Sequence, residues 1–492
     1  MNSLDTQAAQ QALLAAVPRD LYIDGQWRPA SSGKTFEVIN PATEQVIAHV
    51  ADASADDAVA AMDAACTAQE FWAATAPRIR AEILRRAWEL VHERREELAL
   101  LMTLEMGKPL AEARGEVTYG GEFLRWFSEE AVRIQGRFTP NPEGTGTIMV
   151  SHRPVGPAYF ITPWNFPLAM ATRKIAPALA AGCTVVIKPP QLTPLTTAYF
   201  VQILHDAGLP AGVVNMIPAA SSRGVSAPII ADPRLRKLSF TGSTPVGQAL
   251  IAQAADNVLK VSMELGGNAP FVVFDDADMD KAVGGAMDAK FRNIGQACTA
   301  ANRFIVHESR VDEFARRVTE RVAALKIGAG TDPGVEIGPL VEQSAVDKVA
   351  SLVQDAVDRG AQVTTGGHQL DRPGYFYAPT VLVNVPSDAD IVREEIFGPV
   401  LAITSFRDED QAVAMANDTE YGLASYVFTE SLARGHRMID KIDAGMMGLN
   451  AGVMSNAAAP FGGLKQSGTG REGGVEGIHE FLEVKYTYLP AA

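Results

Sequence analysis

From residue 155 onward, short apolar runs alternate with helical stretches, and this alternation constrains the fold more than any other feature of the sequence. The β-prone runs cover residues 158–162, 184–188, 213–217 and 236–240, and helical stretches at 168–181 and 194–207 follow the first two. Strands that alternate with helices pair in parallel, with helices covering the sheet. The sequence therefore predicts a doubly wound parallel α/β sheet, an architecture that often binds nucleotides.

A second alternating series begins after Ser262. Its β-prone runs cover residues 271–274, 303–307, 378–383 and 400–406. A chain of 492 residues is too long for one hydrophobic core, so we expect at least two domains. We place the boundary near 264–268, where two adjacent glycines let the chain cross over. A cleft between two domains is a common place for a reaction centre.

Other segments lie outside these two series. Residues 1–20 are rich in Ala and Gln and predict a helical or frayed leader, and two amphipathic helices are predicted over 56–72 and 79–91. Cys66 is predicted to be a core residue of the first of them. The β-prone runs 139–153 and 481–489 either pair with a partner subunit or extend the chain's own sheet, and the pattern favours neither alternative.

The charge balance excludes some classes of partner. Lys and Arg number 43 and Asp and Glu number 58, so the net charge of −15 repels nucleic acid phosphates and anionic lipid headgroups. No apolar run approaches the roughly twenty residues that span a bilayer, and the N-terminus lacks the pattern of a secretory signal. We therefore expect a cytoplasmic protein. The three cysteines have no metal-type spacing and form no even framework, so we expect neither disulfides nor structural zinc.

Cys298 differs from the other cysteines in its sequence surroundings. A lone cysteine is usually a small core residue, and Cys183, next to the apolar run 185–187, fits that description. Cys298 instead lies among the small and polar residues 295–297 and Thr299. A free thiol is only slightly ionised at neutral pH, so a nucleophilic cysteine needs a nearby base or a positive environment. We predict that Cys298 is a nucleophile.

Two acidic positions are candidates for such a base. Glu264 ends an apolar run beside Gly266 and Gly267. It is either a solvated charge at a strand end or a partly desolvated carboxyl group with a raised pKa that suits proton transfer, and the residues alone leave both alternatives open. Glu395, in the segment EEIFGPV, has the same ambiguity.

The segment PWNFP lies between a predicted strand and a predicted helix, and its two prolines restrain the backbone around Asn165. A side-chain amide held in this way could donate a hydrogen bond to a developing oxyanion, a contact worth about 3 kcal/mol when it is preorganised. The alternative is that Asn165 caps the following helix.

Glycines at a strand-to-helix turn let a pyrophosphate approach backbone N–H groups at the positive end of a helix. The turn from Gly242 to Gly247 and the Lys188-Pro189-Pro190 strand end are candidates for such a site. The GxxxxG spacing is not followed by Lys-Ser/Thr, so it is not a P-loop. A literal GxGxxG spans Gly468 to Gly473, but no βαβ unit can follow it so near the C-terminus, and we discount it.

Together these motifs resemble the NAD(P)-dependent aldehyde dehydrogenase superfamily. Five motifs stand in the family order, namely PWNFP, FTGS, MELGGNAP, FRNIGQACTAANR and EEIFGPV. The resemblance runs from about Leu21 to Tyr486, and the segments at 170–174, 417–423 and 460–465 extend it to the succinate-semialdehyde dehydrogenase branch.

The resemblance implies an aldehyde dehydrogenase-like α/β fold with two doubly wound Rossmann-like domains and a small β oligomerisation arm. The implied ranges are 1–138 and 154–264 for the dinucleotide-binding domain, 265–472 for the catalytic domain, and 139–153 with 473–492 for the arm. A homo-oligomer, either a dimer or a tetramer, is also implied.

The family mechanism assigns roles to the matching residues. Cys298 resembles the nucleophile that forms a thiohemiacetal and then a thioester, Asn165 with the Cys298 amide resembles the oxyanion hole, and Glu264 resembles the base. Glu395 would hold the nicotinamide ribose and Phe397 would pack beside it. The residues implied to bind the cofactor are Pro163, Trp164, Lys188, Gln191, Gly242, Ser243, Gly247, Glu395 and Phe397.

Arg173, Arg292 and Ser455 occupy positions at which the succinate-semialdehyde branch binds the distal carboxylate of its substrate. Two guanidiniums are costly to bury without an anion, and each charge-assisted bond to a carboxylate contributes about 1.5 to 3 kcal/mol. We therefore expect an ω-carboxylated aldehyde such as succinate semialdehyde. Glutarate semialdehyde, which is one methylene longer, and general aldehyde oxidation are the alternatives.

The chain departs from the family pattern at two positions. Ala300 stands where this branch often has a second cysteine, so we expect no redox switch. Gln191 stands where strict NAD enzymes tend to have a glutamate that binds the adenosine ribose. A neutral Gln does not repel a 2′-phosphate, so we expect NADP to be accepted as well as NAD.

A nitrilase-like amidase is the alternative from another enzyme class, because Cys298, Glu264 and Lys188 match its Cys-Glu-Lys residue types. That hypothesis needs no dinucleotide, and it leaves the Gly242–Gly247 turn and Phe397 without a role.

Overall fold

The computed structural model describes residues 7–491. In chain order the strands are β1 (Leu21–Ile23), β2 (Gln26–Arg28), β3 (Thr35–Asn40), β4 (Gln45–Ala51), β5 (Arg137–Pro140), β6 (Gly146–Pro154), β7 (Ala158–Ile161), β8 (Val185–Lys188), β9 (Val214–Met216), β10 (Lys237–Thr241), β11 (Lys260–Glu264), β12 (Ala269–Val273), β13 (Ala301–His307), β14 (Gln362–Thr365), β15 (Thr380–Val383), β16 (Val400–Phe406), β17 (Ala424–Phe428), β18 (Met446–Leu449), β19 (Gly468–Thr469) and β20 (Leu482–Pro490).

The α-helices are α1 (Gln7–Ala16), α2 (Ala55–Ala74), α3 (Pro77–Glu93), α4 (Arg95–Met106), α5 (Leu110–Glu130), α6 (Ala169–Ala181), α7 (Pro194–Asp206), α8 (Ser222–Ala231), α9 (Thr244–Ala254), α10 (Met279–Phe291), α11 (Val311–Ala323), α12 (Gln343–Asp358), α13 (Glu409–Asn417), α14 (Leu432–Lys441) and α15 (Glu476–His479). In the part of the chain that the structure describes, none of them combines the length and apolar character needed to cross a membrane.

The first large sheet has the strand order β19-β11-β10-β7-β8-β9-β1-β2. Strands β11, β10, β7, β8 and β9 are parallel to their neighbours, and the predicted doubly wound sheet is confirmed. From β7 the chain moves outward through β8 and β9, then returns to the other side of β7 at β10 and β11. The direction of winding reverses between β7 and β10, and ligands commonly bind at the carboxyl ends of strands at such a point.

Burial explains why the central strands β7 and β8 have almost only apolar residues in the sequence. Each residue of β7 and β8 is buried, including Lys188 at the end of β8. Parallel strands covered by helices on both faces lose the polar alternation of half-exposed strands. Helix α6 then ends at Gly182, whose φ of 96° is the left-handed conformation that commonly terminates helices.

The second large sheet has the order β14-β15-β16-β13-β12-β17-β18. Its strands are parallel except for the antiparallel β14. Winding reverses here between β12 and β17, so this half of the chain is doubly wound as well. The parallel strands that end at Glu264 and those that begin at Ala269 thus belong to different large sheets. The short β19 returns to the first large sheet beside β11.

Strands β5, β6 and β20 form a separate antiparallel sheet. Strand β20 pairs with β6 from Leu482 opposite Pro154 to Pro490 opposite Gly146. The two β-prone arms therefore pair with each other and lengthen neither large sheet. This small sheet exposes the apolar side chains of Phe138 and Val484, which are 70% and 66% accessible.

The N-terminal helices agree with the sequence patterns. Helices α2 and α3 cover the two predicted amphipathic stretches, and α1 covers part of the predicted leader, of which residues 1–6 lie outside the described residues. The prediction that Cys66 is a core residue is wrong, because this side chain is only half-buried at the edge of a hydrophobic cluster. Cys183 is buried, as predicted.

Candidate active site

Several predicted site residues follow the carboxyl ends of the parallel strands in the first sheet. Strand β7 leads to Pro163 and Asn165, strand β10 leads to Gly242, and strand β11 ends on Glu264. In the sheet register, Thr241 lies opposite Glu264. The topology therefore brings these loops to one edge of the sheet, at the reversal of winding.

A cavity of about 310 Å³ opens at this edge. Its lining contains the three predicted catalytic residues together with six of the predicted cofactor residues. The residues that line it are Pro163, Trp164, Asn165, Met170, Thr241, Gly242, Ser243, Glu264, Leu265, Gly266, Cys298, Ser344, Ala345, Lys348, Glu395, Ile396 and Phe397. Residues from both large sheets thus meet in one cavity.

Cys298 lies on the loop between helix α10 and strand β13 of the second large sheet. Asn293, Ile294 and Gly295 before it have φ angles of 55°, 60° and 73°, so three successive residues adopt the left-handed conformation. Only glycine fits at 295, because a Cβ there would lie 2.2 Å from the Gly398 carbonyl oxygen. This irregular turn ends the helix and directs the following loop toward the cavity.

The thiol of Cys298 is held in its neutral form. Burial raises its pKa to about 12. The carboxyl groups of Glu395 and Glu264 add to this rise, and the positive charges of Arg173 and Arg292 oppose it. A nucleophilic thiolate therefore requires a base within the site.

Glu264 is buried, with 3% of its surface exposed. Among the described residues, neither of its carboxyl oxygens has a hydrogen-bond partner. Burial, together with the charge of Glu472, raises its pKa well above the usual range, while Arg173 and Lys174 oppose that rise. The alternative of a solvated charge at a strand end is wrong, and the group has the properties of a general base.

Asn165 is also buried, and its side-chain amide donates a hydrogen bond to the Gln296 carbonyl oxygen at 3.0 Å. The alternative that Asn165 caps the next helix is wrong, because the cap residue of α6 is Leu168 and the carboxylate of Glu116 accepts the amides of Leu168 and Ala169. The amide group has two N–H donors, so one remains for a ligand in the cavity.

Glu395 and Phe397 border the cavity from the second sheet. Burial raises the pKa of Glu395 to about 7, and its carboxylate accepts the amide of Gly267 at 3.3 Å. The Phe397 ring lies edge-on to Trp164, with ring centres 5.5 Å apart. A Cβ on Gly267 would lie 2.5 Å from the Cys298 carbonyl oxygen, so the glycine lets the two loops approach each other.

Three predicted cofactor residues do not line the cavity. Lys188 is buried at the end of β8, where burial lowers its pKa to about 8, and Gln191 is exposed just beyond it. Gly247 lies on α9, where a Cβ would stand 2.4 Å from the Leu265 side chain. The structure thus gives Gly247 a packing function between helix and strand.

The three predicted substrate residues lie outside this lining as well. Arg173 is buried and forms an ion pair with Glu472, so the protein itself supplies the anion that its burial requires. Arg292 is partly exposed, and its guanidinium lies 5.8 Å from the centre of the Phe166 ring. Ser455 lines a second cavity of about 530 Å³, together with Tyr119. Burial raises the pKa of the Tyr119 hydroxyl, and the charges of Arg173 and Arg292 oppose this rise, so both guanidiniums lie near Tyr119. Ser455 lines the same cavity as Tyr119.

Some site residues were not predicted from the sequence. Lys348 lines the cavity and donates a hydrogen bond to the Glu395 main-chain oxygen at 2.7 Å. Glu472 lies within the glycine-rich segment that we discounted, and it contacts Lys174 and Arg173 next to Glu264. The only sequence feature that could have pointed to Glu472 is a carboxylate between glycines. No local pattern links Glu472 to its partners, which stand about 300 positions earlier in the chain.

The aldehyde dehydrogenase family model matches residues 27–487. This chain belongs to the aldehyde dehydrogenase family. A succinate-semialdehyde dehydrogenase of Paenarthrobacter nicotinovorans is 60% identical over 441 residues, which are 90% of this chain and 98% of that protein. A glutarate-semialdehyde dehydrogenase of Pseudomonas putida is 47% identical over 94% of this chain and 96% of its own length.

Aldehyde dehydrogenases of known structure share the whole fold. The crystal structure described as an Escherichia coli NADP-dependent enzyme superimposes with a TM-score of 0.95 at 46% identity, covering 96% of this chain and 98% of that one. The aldehyde dehydrogenase-like fold with two Rossmann-like units is therefore confirmed. The comparisons give no support to the nitrilase-like alternative.

Proposed function

We propose that this aldehyde dehydrogenase oxidises succinate semialdehyde, or a closely related ω-carboxylated aldehyde such as glutarate semialdehyde, to the dicarboxylic acid with NADP or NAD. The observation that carries the proposal is that Cys298, Glu264 and Asn165 line one cavity near two guanidiniums. The similar proteins named above act, by their names, on these two semialdehydes.

The first step needs Glu264 in its ionised form, because burial holds the Cys298 thiol neutral. Glu264 accepts the thiol proton of Cys298, and the sulfur forms a bond to the aldehyde carbon. The carbonyl oxygen becomes an oxyanion that the Asn165 amide and the Cys298 main-chain N–H stabilise. A preorganised donor of this kind contributes about 3 kcal/mol to transition-state stabilisation.

The bound nicotinamide supplies the acceptor for the hydride of the thiohemiacetal. Glu264 releases the first proton to solvent and then takes a proton from water, and the resulting hydroxide attacks the thioester on Cys298. The C–S bond breaks, the carboxylic acid leaves, and the thiol regains its proton. Because the pKa of Glu264 is raised, its ionised form is a stronger base than an exposed carboxylate.

The residues around the cavity fit a dinucleotide. Gly242 and Ser243 stand at the start of α9, where backbone N–H groups favour a pyrophosphate. Glu395 would hold the nicotinamide ribose, with Phe397, Trp164 and Pro163 beside it. A Cβ at Gly266 would lie 3.2 Å from the Tyr421 ring and 3.4 Å from a Glu395 carboxylate oxygen, so this glycine leaves space beside both groups.

Lys188 and Gln191 lie at the end of β8, two strands away from Gly242, and we assign them to the adenosine ribose. No carboxylate stands at residue 191 to repel a 2′-phosphate, and the similar crystal structure is described as that of an NADP-dependent enzyme. We infer that NADP is accepted as well as NAD.

For the distal carboxylate of the substrate, Arg292 is the more available cation, because Glu472 already neutralises Arg173. Ser455 would add a hydroxyl from the second cavity. Arg173 would attract the substrate carboxylate mainly through its positive charge at a distance, and the same charge favours the thiolate form of Cys298.

The larger organisation belongs to the same proposal. The first large sheet and its helices would bind the dinucleotide, and the second would supply Cys298. The face of the small sheet that exposes Val484 and Tyr486 would be covered by another subunit. All three cysteines are free, which agrees with the reducing cytoplasm.

The substrate assignment is tested with a panel of acidic and neutral aldehydes assayed with both cofactors. Arg292→Ala is expected to raise KM for acidic aldehydes about tenfold or more and to change KM for neutral ones little, because one charge-assisted contact is lost. Arg316→Ala, at an exposed arginine of α11, is the control. Equal losses for both classes of aldehyde would refute the assignment.

The subunit assignment is tested by light scattering on Val484→Lys/Tyr486→Lys. Charges on the exposed face of β20 are expected to dissociate the oligomer. A wild-type protein that is monomeric at micromolar concentration would contradict the assignment.

A further inference from the structure

The two loops that carry Asn165 and Cys298 belong to different sheets. The first follows β7, and the second precedes β13. No strand pairing joins the two large sheets among the described residues. Other contacts must therefore set the distance between the amide and the thiol.

Helix α5 and the residue before its cap contact both loops. On the first loop, the Lys108 ammonium donates a hydrogen bond to the Asn165 main-chain oxygen at 2.8 Å and pairs with Glu116. The other oxygen of Glu116 accepts the amides of Leu168 and Ala169, at 2.9 and 3.2 Å. Lys108 and Glu116 are buried, with 1% and 3% of their surfaces exposed.

On the second loop, Glu112 of the same helix accepts the amide of Asn293 at 2.6 Å. Asn293 is the first of the three left-handed residues before Cys298. This hydrogen bond from the Asn293 amide to the Glu112 carboxyl oxygen stabilises a turn that is unfavourable for a residue with a Cβ.

The two loops also contact each other at this place. The side chain of Asn293 donates to the main-chain oxygens of Asn165 and Gln296, at 3.0 and 2.8 Å. The catalytic amide of Asn165 donates to the same Gln296 oxygen at 3.0 Å. The orientation of the Asn165 side chain thus depends on where Lys108 and Glu112 hold the two backbones.

We propose that Lys108, Glu112 and Glu116 are positioning residues that align the oxyanion donor Asn165 with Cys298 across the two sheets. They contact neither substrate nor cofactor in this assignment, and they act through Asn165. The inference rests on the proposed function, because it needs Asn165 to act in the reaction.

The test is a pair of double-mutant cycles with Asn165→Ala, measured as kcat with saturating succinate semialdehyde and NADP. Asn165→Ala alone should lower kcat about 10²- to 10³-fold, the usual effect of losing an oxyanion donor. Lys108→Met and Glu112→Ala should each lower kcat about 10- to 100-fold, because small misplacements of reacting groups are costly. Each double variant should be no slower than Asn165→Ala, since residues that act through one group are not additive.

A conservative variant and a control separate positioning from general stability. Glu112→Gln keeps an oxygen acceptor for the Asn293 amide and should recover most of the kcat that Glu112→Ala loses. Arg80→Met removes another buried cation, which donates to the carbonyl oxygens of Ala180 and Thr75, both outside the two loops. It should lower Tm and leave kcat unchanged.

The outcomes distinguish the two claims. If Asn165→Ala keeps full kcat, the proposed role of Asn165 fails. If Asn165→Ala is slow and the losses multiply in the double variants, this inference alone is overturned. If Lys108→Met does not fold, the Glu112 cycle decides.

Discussion

Lys174 donates a hydrogen bond to the carboxylate of Glu472 in an ion pair buried inside the protein. Although burial opposes it, the charges of Arg173 and Lys174 hold the pKa of Glu472 below its usual range. Glu472 is therefore ionised, and its negative charge adds to the rise in the pKa of Glu264. The basicity of the proposed catalytic base thus depends on a residue more than two hundred positions away in the chain.

Glu472→Gln should consequently lower the pKa of Glu264. The substitution removes a repelling charge and leaves Arg173 and Lys174 free to attract the Glu264 carboxylate. The base would then be ionised at lower pH, so the acid limb of the kcat profile should move toward lower pH. Glu480→Gln is a suitable control, because Glu480 contacts Lys237 and Ser262 instead. An acid limb that does not move in Glu472→Gln would show that Glu472 does not tune the base.

The thiol of Cys298 makes a second prediction possible. Because its pKa is raised to about 12, the thiolate fraction should still increase about tenfold per pH unit between about pH 7 and pH 9. The rate of iodoacetamide labelling, followed on the Cys298 peptide of the cofactor-free enzyme by mass spectrometry, should rise in parallel. Arg292→Met should slow the labelling at each pH, since Arg292 lowers this pKa. A labelling rate that levels off near pH 8 would mean that the resting thiol is already ionised.

Cofactor preference gives the third prediction. Gln191→Glu should shift the ratio of kcat/KM values toward NAD by about fivefold or more, because a carboxylate near a 2′-phosphate costs about 1 kcal/mol even in water. Gln354→Glu adds the same charge on exposed α12, far along the chain, and should leave the ratio unchanged. If both variants change the ratio equally, residue 191 does not contact the adenosine ribose.

The sequence patterns predicted the parts of the fold that depend on local alternation. Strands β7 and β8 were recognisable because strands covered on both faces consist almost entirely of apolar residues. The proposed nucleophile could be singled out because Cys298 lacks apolar neighbours, whereas Glu264, which follows an apolar run beside two glycines, became the proposed base only through the family resemblance. These signals lie within a few residues of each side chain.

Contacts made by tertiary packing were not predictable in the same way. Glu116 caps α6 from a different helix, and this long-range contact leaves the amide of the nearby Asn165 free of the capping role. The anion for Arg173 comes from Glu472, which weakens the inference that its burial requires a substrate carboxylate. In both cases the deciding charge lies far away in the chain, where neither periodicity nor spacing reveals it.

The central claim, that the thiol of Cys298 bonds to the aldehyde carbon, is tested most directly by peptide mass spectrometry of Glu264→Gln. This variant lacks the base of both steps, so it is incubated with succinate semialdehyde and NADP at about pH 9, where more of the Cys298 thiol is ionised without a base. It should form the thioester slowly and hydrolyse it more slowly still. We predict a succinyl group on the peptide that contains Cys298, and none when Cys298→Ala is added to the same variant. A Cys298→Ala enzyme that still reduces NADP with succinate semialdehyde at the wild-type rate would contradict the account.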